Sequence, residues 1–262
     1  MSIEQVSHYR DWLMQHGGRD LEIQDAYRPE VLDGDWKPLV AQAKAALDGY
    51  QGRMGIHGPY DGLWMDSFDP AVRRLVAERY RKGLEFAADL GASHMVIHSP
   101  FLFFGHPLAA HSAANGLPRQ IENVHATLES ILPLASSLGV TLVIENICDT
   151  NPAPLRTLVG SFDSEYVRLS VDVGHAFLMH QKGGPTPDQW VLEAGSLLGH
   201  LHLQDNDGTL DRHWNPGQGG INWQAIFRAL ARSEARPRLI LEVRPNETAA
   251  AARWLAEQGL AV

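Results

Sequence analysis

Short apolar runs alternate with longer amphipathic stretches along the sequence, and this alternation restricts the possible folds more than any other feature. The runs are apolar at nearly every position, which is typical of parallel strands with both faces covered. Strands that alternate with helices form βαβ units with right-handed crossovers. Seven runs are predicted strands: Leu21–Gln24, Arg53–His57, His94–His98, Thr141–Glu145, Arg168–Asp172, Leu201–Gln204 and Arg238–Val243.

The longer stretches between these runs predict helices. Apolar residues recur at helical spacing in four of them, at residues 69–90, 118–138, 224–232 and 247–257. Gly91 and Gly139 each follow such a stretch, at the position where a left-handed helix cap favours glycine. The segment His106–Pro118 is a predicted loop.

The number and order of the strands predict an α/β fold, a (β/α)8 TIM barrel, in a single domain that spans residues 1–262. A chain of 262 residues with 44% hydrophobic residues has the size of one such barrel and can bury its core. The eighth strand has two candidates. Ser2–Val6 would be a short first strand, or Leu260–Val262 would follow the last helix.

Composition excludes several classes of protein. The single cysteine, Cys148, excludes a disulfide framework and a cysteine-based zinc site. No apolar run reaches the roughly 20 residues of a membrane span, and Met1–Gln5 lacks the features of a signal segment. We therefore expect a cytoplasmic protein without membrane contact. The net charge of −9, with only 22 Lys and Arg residues, argues against nucleic acid as a partner.

Side chains that can bind metal stand at or near the end of every predicted strand but the first. In a barrel these strand ends face one another at the mouth, where carboxylates are costly to bury without a cation. A single such residue would more often belong to the core or to a salt bridge, but nine of them predict a divalent metal centre. Imidazole and carboxylate ligands together suit Zn²⁺, Mn²⁺ or Fe²⁺. The nine are His57, His98, Glu145, Asp172, His175, His202, Asp211, His213 and Glu242.

The same segments resemble the xylose isomerase-like TIM barrel superfamily, which contains sugar phosphate isomerases and epimerases and the related endonuclease IV (AP endonuclease family 2). The resemblance extends over about residues 20–245 and is specific for the superfamily rather than for one substrate. It rests on Ile56–Tyr60 (IHGPY), Val96–Pro100 (VIHSP), Val143–Asn146 (VIEN), Val171–Ala176 (VDVGHA), His202–Asn206 (HLQDN), Asp211–His213 (DRH) with Gly217–Gly219 (GQG), and Leu241–Glu242.

The resemblance implies a metal-dependent isomerase or epimerase that acts on a sugar or sugar derivative by proton transfer through a metal-stabilised enediolate. One divalent ion, Zn²⁺ or Mn²⁺, would be bound by Glu145, Asp172, His202 and Glu242. Glu145 and Glu242 would also transfer the proton, and His175 would hydrogen-bond a substrate oxygen as the third catalytic residue. The implied partner is a small sugar-like molecule, and assembly into a homo-oligomer stays open.

Three alternatives stay open. An endonuclease IV-like phosphodiesterase would bind three zinc ions, and the further ligands that it would need are all present: His57, His98, His175, Asp211 and His213. The acidic charge and the segment Asn146–Thr150 (NICDT) argue against this branch. A lyase or dehydratase of a polyhydroxy acid is the second alternative, because Asp205 and Asn206 stand where the epimerases often carry a substrate-binding arginine. The third is a non-catalytic barrel that binds metal.

Overall fold

The structure, a computed structural model, describes residues 1–16, 18–101 and 116–261. Within these ranges seven strands lie in one sheet in chain order, and the β1–β2, β2–β3, β5–β6 and β6–β7 pairs are parallel. The predicted α/β class is confirmed, and the bounds of β3 and β4 are those predicted. The strands are β1 (Leu21–Ile23), β2 (Met54–His57), β3 (His94–His98), β4 (Thr141–Glu145), β5 (Val167–Asp172), β6 (Leu198–Leu203) and β7 (Arg238–Leu241).

Helices occupy most of the stretches between these strands. Short 3₁₀ turns occur at Asp25–Tyr27, Gly195–Leu197 and Pro245–Glu247. The α-helices of the described ranges are α1 (Ile3–Gln15), α2 (Pro29–Asp33), α3 (Lys37–Ala46), α4 (Pro70–Leu90), α5 (Leu117–Leu128), α6 (Leu132–Leu138), α7 (Pro152–Ser161), α8 (Val173–His180), α9 (Pro187–Ala194), α10 (Trp223–Arg232) and α11 (Thr248–Glu257).

Local capping explains where α4 begins and ends. The Asp69 carboxylate accepts a hydrogen bond from the backbone N–H of Ala71 over 2.7 Å, and Pro70 occupies the first turn, where its missing N–H costs nothing. The helix ends at Gly91, whose φ of 84° is in the left-handed region that favours glycine. Gly139 ends α6 in the same way, with a φ of 66°. Both glycine caps are therefore confirmed.

The prediction of a strand at Ser2–Val6 is wrong, because this segment begins α1. Ser2 is the helix N-cap and forms a capping box with Gln5, whose side chain accepts a hydrogen bond from the Ser2 backbone N–H over 2.8 Å. Leu260 and Ala261 are not in a strand either, and Val262 lies outside the described residues. The described ranges therefore contain no eighth strand.

The helix predicted over residues 118–138 is two helices, α5 and α6. Pro133 stands in the first turn of α6. Proline has no backbone N–H to donate to the preceding turn, so an unbroken helix would lose a hydrogen bond there. In the predicted loop His106–Pro118, residues 106–115 lie outside the described ranges, and Leu117 and Pro118 begin α5.

Contacts along the chain divide it into two compact units. The first unit consists of residues 1–16, 18–100, 116–143 and 164–167, and its core includes the buried side chains of Ile23, Ile56 and Ile97. The second consists of residues 101, 144–163 and 168–261, and its core includes Leu169, Val171 and Leu201. The single domain over residues 1–262 stays a prediction.

Candidate metal centre

Four strand-end residues of the second unit converge. Glu145 and Asp172 are the last residues of β4 and β5, His202 lies in β6, and Glu242 directly follows β7. Asp172 and His202 are register partners in the parallel β5–β6 pair, so both side chains leave the same face of the sheet. One nitrogen or oxygen atom from each of the four residues lies within 4.8 Å of the others. These are the four ligands that the resemblance implies, and their roles stay predictions.

His202 lies between the two glutamates. Its Nδ1 atom is 3.2 Å from Oε1 of Glu145 and 3.2 Å from Oε2 of Glu242. Glu145, Asp172 and His202 are buried, and the Glu242 side chain is 15% exposed. Ionised carboxylates repel one another in such a low-dielectric environment, and a divalent cation would remove the repulsion. Three carboxylates and one imidazole are donors that Zn²⁺ and Mn²⁺ accept.

The two oxygens of Asp172 have different surroundings. Oδ1 accepts a hydrogen bond from the backbone N–H of His175 over 2.6 Å, which makes Asp172 the N-cap of α8. Oδ2 is buried and accepts no hydrogen bond from any residue that the structure describes. A buried carboxylate oxygen without a donor is destabilising unless a cation binds it. The residues therefore fit a divalent ion at this position.

Asn146 holds the backbone of Asp172 in place. Its side-chain oxygen accepts a hydrogen bond from the Asp172 N–H over 2.8 Å, and its side-chain nitrogen donates to the Asp172 carbonyl over 3.1 Å. The Asn146 carbonyl also accepts a hydrogen bond from Nδ1 of His175 over 3.0 Å. No role for Asn146 is predicted from the sequence. Its position directly after Glu145, at the end of the strand next to β5, is the sequence signal that points to it.

Burial and charge give the two glutamates opposite protonation states in the absence of metal. Burial, together with the charges of Glu145 and Asp172, raises the pKa of Glu242 to about 8, against the opposing effect of His202. Burial also acts to raise the pKa of Glu145, but His202 and His175 outweigh it and hold that pKa well below its ordinary value. At neutral pH the metal-free centre therefore contains an ionised Glu145 and a protonated Glu242.

A second set of side chains, those of His175, Asp211 and His213, adjoins the four residues described above, which form the first set. Oδ2 of Asp211 is 3.3 Å from Nε2 of His175 and 2.9 Å from Nε2 of His213. His175 also lies beside the first set, because its Nδ1 is 3.4 Å from Oε1 of Glu145. Burial lowers the pKa of His213, but Asp211 and Glu242 outweigh it and raise that pKa to about 9. The structure thus places three of the five further predicted ligands next to the centre.

The other two further ligands, His57 and His98, belong to the first unit. Their Nε2 atoms are 3.4 Å apart, and Nδ1 of His57 donates a hydrogen bond to the carbonyl of Gly58 over 3.0 Å. The ring of Tyr60 stacks on His98 with the ring centroids 4.4 Å apart. His57 and His98 therefore form a close pair within their unit, and their role as ligands stays a prediction.

The loop that carries Asp211 and His213 is anchored by Asp205. This buried carboxylate accepts hydrogen bonds from the backbone N–H groups of Asn206, Gly217 and Ile221 and from the indole nitrogen of Trp223. His213 itself has a φ of 50°, in the left-handed region that non-glycine residues rarely adopt. From the sequence, Asp205 is interpreted only as the replacement of an arginine. In the structure it organises the loop that presents the second set.

A family model described as "Xylose isomerase-like TIM barrel" matches residues 11–258, nearly the whole chain. The chain belongs to the xylose isomerase-like TIM barrel family. The match confirms both the resemblance and the predicted TIM-barrel fold class of this xylose isomerase-like barrel.

Solved structures of other proteins resemble this xylose isomerase-like barrel. The TTHB071 protein from Thermus thermophilus, in a structure described as soaked with ZnCl₂, is 30% identical with a TM-score of 0.75, and the alignment covers 99% of this chain and 97% of that one. A D-tagatose 3-epimerase-like protein is 22% identical with a TM-score of 0.75, and the alignment covers 91% of this chain and 87% of that one. At this lower identity the likeness shows the fold alone.

Among the curated sequences, the uncharacterized protein MJ1311 of Methanocaldococcus jannaschii is 26% identical over 190 residues. The alignment covers 70% of this xylose isomerase-like barrel but only 61% of that relative's length. In the part of the chain that the structure describes, none of the helices has the length and hydropathy needed to span a membrane.

Proposed function

We propose that the chain is a divalent metal-dependent isomerase or epimerase of a sugar or sugar derivative. The observation that carries this proposal is the convergence of Glu145, Asp172, His202 and Glu242, with donor atoms within 4.8 Å of one another. Membership in the xylose isomerase-like family supports it, as does the likeness to a D-tagatose 3-epimerase-like protein. The substrate would be a small polyhydroxylated molecule. A cytoplasmic location and a homo-oligomeric assembly stay predictions.

One Zn²⁺ or Mn²⁺ ion would be held by the four side chains of the first set. Asp172 would contribute Oδ2, which is buried and accepts no hydrogen bond from the described residues. When bound, the ion would polarise a substrate carbonyl group and acidify the neighbouring C–H group. Asn146 would keep Asp172 in place through its two hydrogen bonds to the backbone of that residue.

The two glutamates would carry the proton. Glu145, in its ionised form, would accept it from the carbon next to the carbonyl, and Glu242 would deliver to the opposite face a proton that it carries at that stage. The two residues exchange these roles in the reverse reaction. Two carboxyl groups beside one metal-bound substrate are suited to acid–base catalysis. The His175 side chain, 12% exposed beside Glu145, would hydrogen-bond a substrate oxygen.

Metal analysis and deuterium exchange test this proposal. The protein is purified without chelator, and its metal content per chain is determined; D-fructose and D-tagatose are then incubated with it in D₂O. We expect one ion per chain and deuterium at the carbon next to the carbonyl. E145Q, measured at saturating metal, should lose at least about 100-fold of the exchange rate. E165Q, which alters an exposed glutamate, is the control. A metal-loaded wild-type protein that exchanges no deuterium into a panel of ketoses would contradict the proposal.

The second set favours a second candidate, a trinuclear zinc phosphodiesterase. Nδ1 of His175 donates to the carbonyl of Asn146, and Nδ1 of His213 donates to the carbonyl of Glu242 over 2.9 Å. Carbonyl groups commonly orient metal-binding histidines in this way, which leaves Nε2 for the ion. Three ions per chain and cleavage of an oligonucleotide with an abasic site would favour this candidate. One ion per chain and an uncut oligonucleotide would favour the isomerase.

A further inference from the structure

Gln204 lies between two carboxylates of the candidate centre. It directly follows β6 and is fully buried. Its Nε2 atom donates to Oδ1 of Asp211 over 2.7 Å and to Oδ1 of Asp172 over 3.3 Å. An amide nitrogen carries two protons, so these two hydrogen bonds use both. Gln204 thus connects a proposed ligand of the metal with the acidic residue of the second set.

These hydrogen bonds occupy one oxygen of each carboxylate. Oδ1 of Asp172 accepts from Gln204 and from the backbone N–H of His175, whereas Oδ2 accepts no hydrogen bond from the described residues. Oδ1 of Asp211 accepts from Gln204, and Oδ2 faces the rings of His175 and His213. Both donors engage the same oxygen of Asp172, so Oδ2 is the oxygen that remains for a cation.

A neutral amide is suited to this position. A lysine would also donate to the carboxylates, but its positive charge would repel a divalent ion, and a glutamate would add a further negative charge to a buried acidic cluster. Gly174 provides the space that the amide needs. A Cβ atom on Gly174 would lie 2.2 Å from the Gln204 amide carbon and nitrogen, which is closer than any real contact. The glycine of the VDVGH segment is therefore a requirement of the Gln204 contact.

We propose that Gln204 is a positioning residue that makes Asp172 a monodentate metal ligand through Oδ2, with Gly174 leaving room for its amide. This inference rests on the proposed metal-dependent function. Because two hydrogen bonds hold Oδ1, only Oδ2 is available to the ion. Without the amide, Oδ1 would keep one hydrogen bond and would be free to approach the ion as well, and a bidentate carboxylate raises the coordination number.

Loading the metal-free protein with Co²⁺ tests the inference. The visible absorption of Co²⁺ weakens as its coordination number rises above four, and it therefore reports the geometry of the site independently of activity. We expect Q204M, which removes both hydrogen bonds, to give weaker Co²⁺ absorption and a roughly 10- to 100-fold weaker metal affinity, a typical effect for residues that orient metal ligands. G174A should change the spectrum in the same direction by displacing the amide.

Q51M is the control, since the exposed Gln51 side chain donates a hydrogen bond to the Gly49 carbonyl and belongs to the first unit, which contains none of the four proposed ligands. Melting curves in chelator first establish that each variant is folded, and Q204A, which also removes both hydrogen bonds without adding charge, replaces Q204M if the latter does not fold. If the folded Gln204 variant and G174A both keep the wild-type spectrum and metal affinity, the inference is overturned and the proposed function is left intact. A wild-type chain that takes up no divalent metal overturns both.

Discussion

The Nδ1 atom of His202 lies 3.2 Å from Oε2 of Glu242, although 40 positions separate the two residues in the sequence. The β6–β7 pairing produces this contact. His202 is the register partner of Ile240, and the backbone N–H of Glu242 donates to the carbonyl of Leu203 over 3.1 Å, which continues the pairing beyond the end of β7. The backbone therefore holds Glu242 beside His202 before any ion binds.

Replacement of Glu242 by alanine should weaken metal binding and lower the melting temperature when metal is present. A 100-fold loss of affinity removes about 2.7 kcal/mol of metal-linked stabilisation, which corresponds to several degrees in a chain of this size. Thermal scans in zinc and in chelator measure the difference. E257A, which alters an exposed residue at the end of α11, is the control. A variant with full metal occupancy and an unchanged melting curve in zinc would contradict the role of Glu242 as a ligand.

Without metal, the protein should lose stability as the pH rises from about 5 to about 8. Burial raises the pKa of Glu242 from 4.5 to about 8, so in this window the folded chain keeps a proton that the unfolded chain has released. His213, with a pKa raised to about 9, acts in the same direction above its ordinary value of 6.5. Glu145 and Asp211, whose pKa values are lowered, are ionised in the folded and the unfolded chain across this window, so their contribution to stability does not change with pH there. Melting temperatures in chelator should therefore fall with pH, and E242Q should flatten the curve; a rise in the wild-type protein would disprove this account.

Substitution of Asp205 should destabilise the second unit. D205N keeps the size of the side chain but replaces one acceptor oxygen with a donor, which then faces buried N–H groups such as that of Trp223. We expect a loss of about 2–4 kcal/mol in the free energy of unfolding, since unsatisfied buried donors cost about 1–3 kcal/mol each. Denaturant titrations of D205N and the wild type measure this loss, and equal stability of the two would show that the loop is held by other contacts.

Two glycine substitutions should have different effects on stability. Gly91 has a φ of 84°, so G91A should cost about 1 kcal/mol of unfolding free energy through backbone strain, although the nearest atom to the new Cβ, Cε of Met54, is 3.8 Å away. Gly160 lies in α7 and has no left-handed φ, so G160A should leave stability unchanged or raise it by up to about 0.5 kcal/mol. Chemical denaturation compares the unfolding free energies of the two variants, and a G91A variant as stable as G160A would contradict the predicted backbone strain at residue 91.

Most elements of the fold could be predicted because their signals are local. The apolar runs at His94–His98 and Thr141–Glu145 coincide with β3 and β4, each of which ends at a side chain that can bind metal. The prediction failed at Ser2–Val6, where Ile3 and Val6 are both buried. Their spacing of three residues is that of one helix face, and the cap at Ser2 begins α1. A segment of five residues is too short for its hydrophobic pattern alone to separate a short strand from the first turn of a helix.

Local patterns in the sequence were enough to predict most elements, their order and the residues that stand at the strand ends, because periodicity and caps act over a few residues. Which atoms of those residues are engaged depends on how the strands pack together. The pairing of Asn146 with the Asp172 backbone spans 26 positions, and that of Gln204 with the Asp172 carboxylate spans 32. Such contacts depend on strand register and on the space left at Gly174. No local pattern encodes either, since both arise only when distant segments pack together.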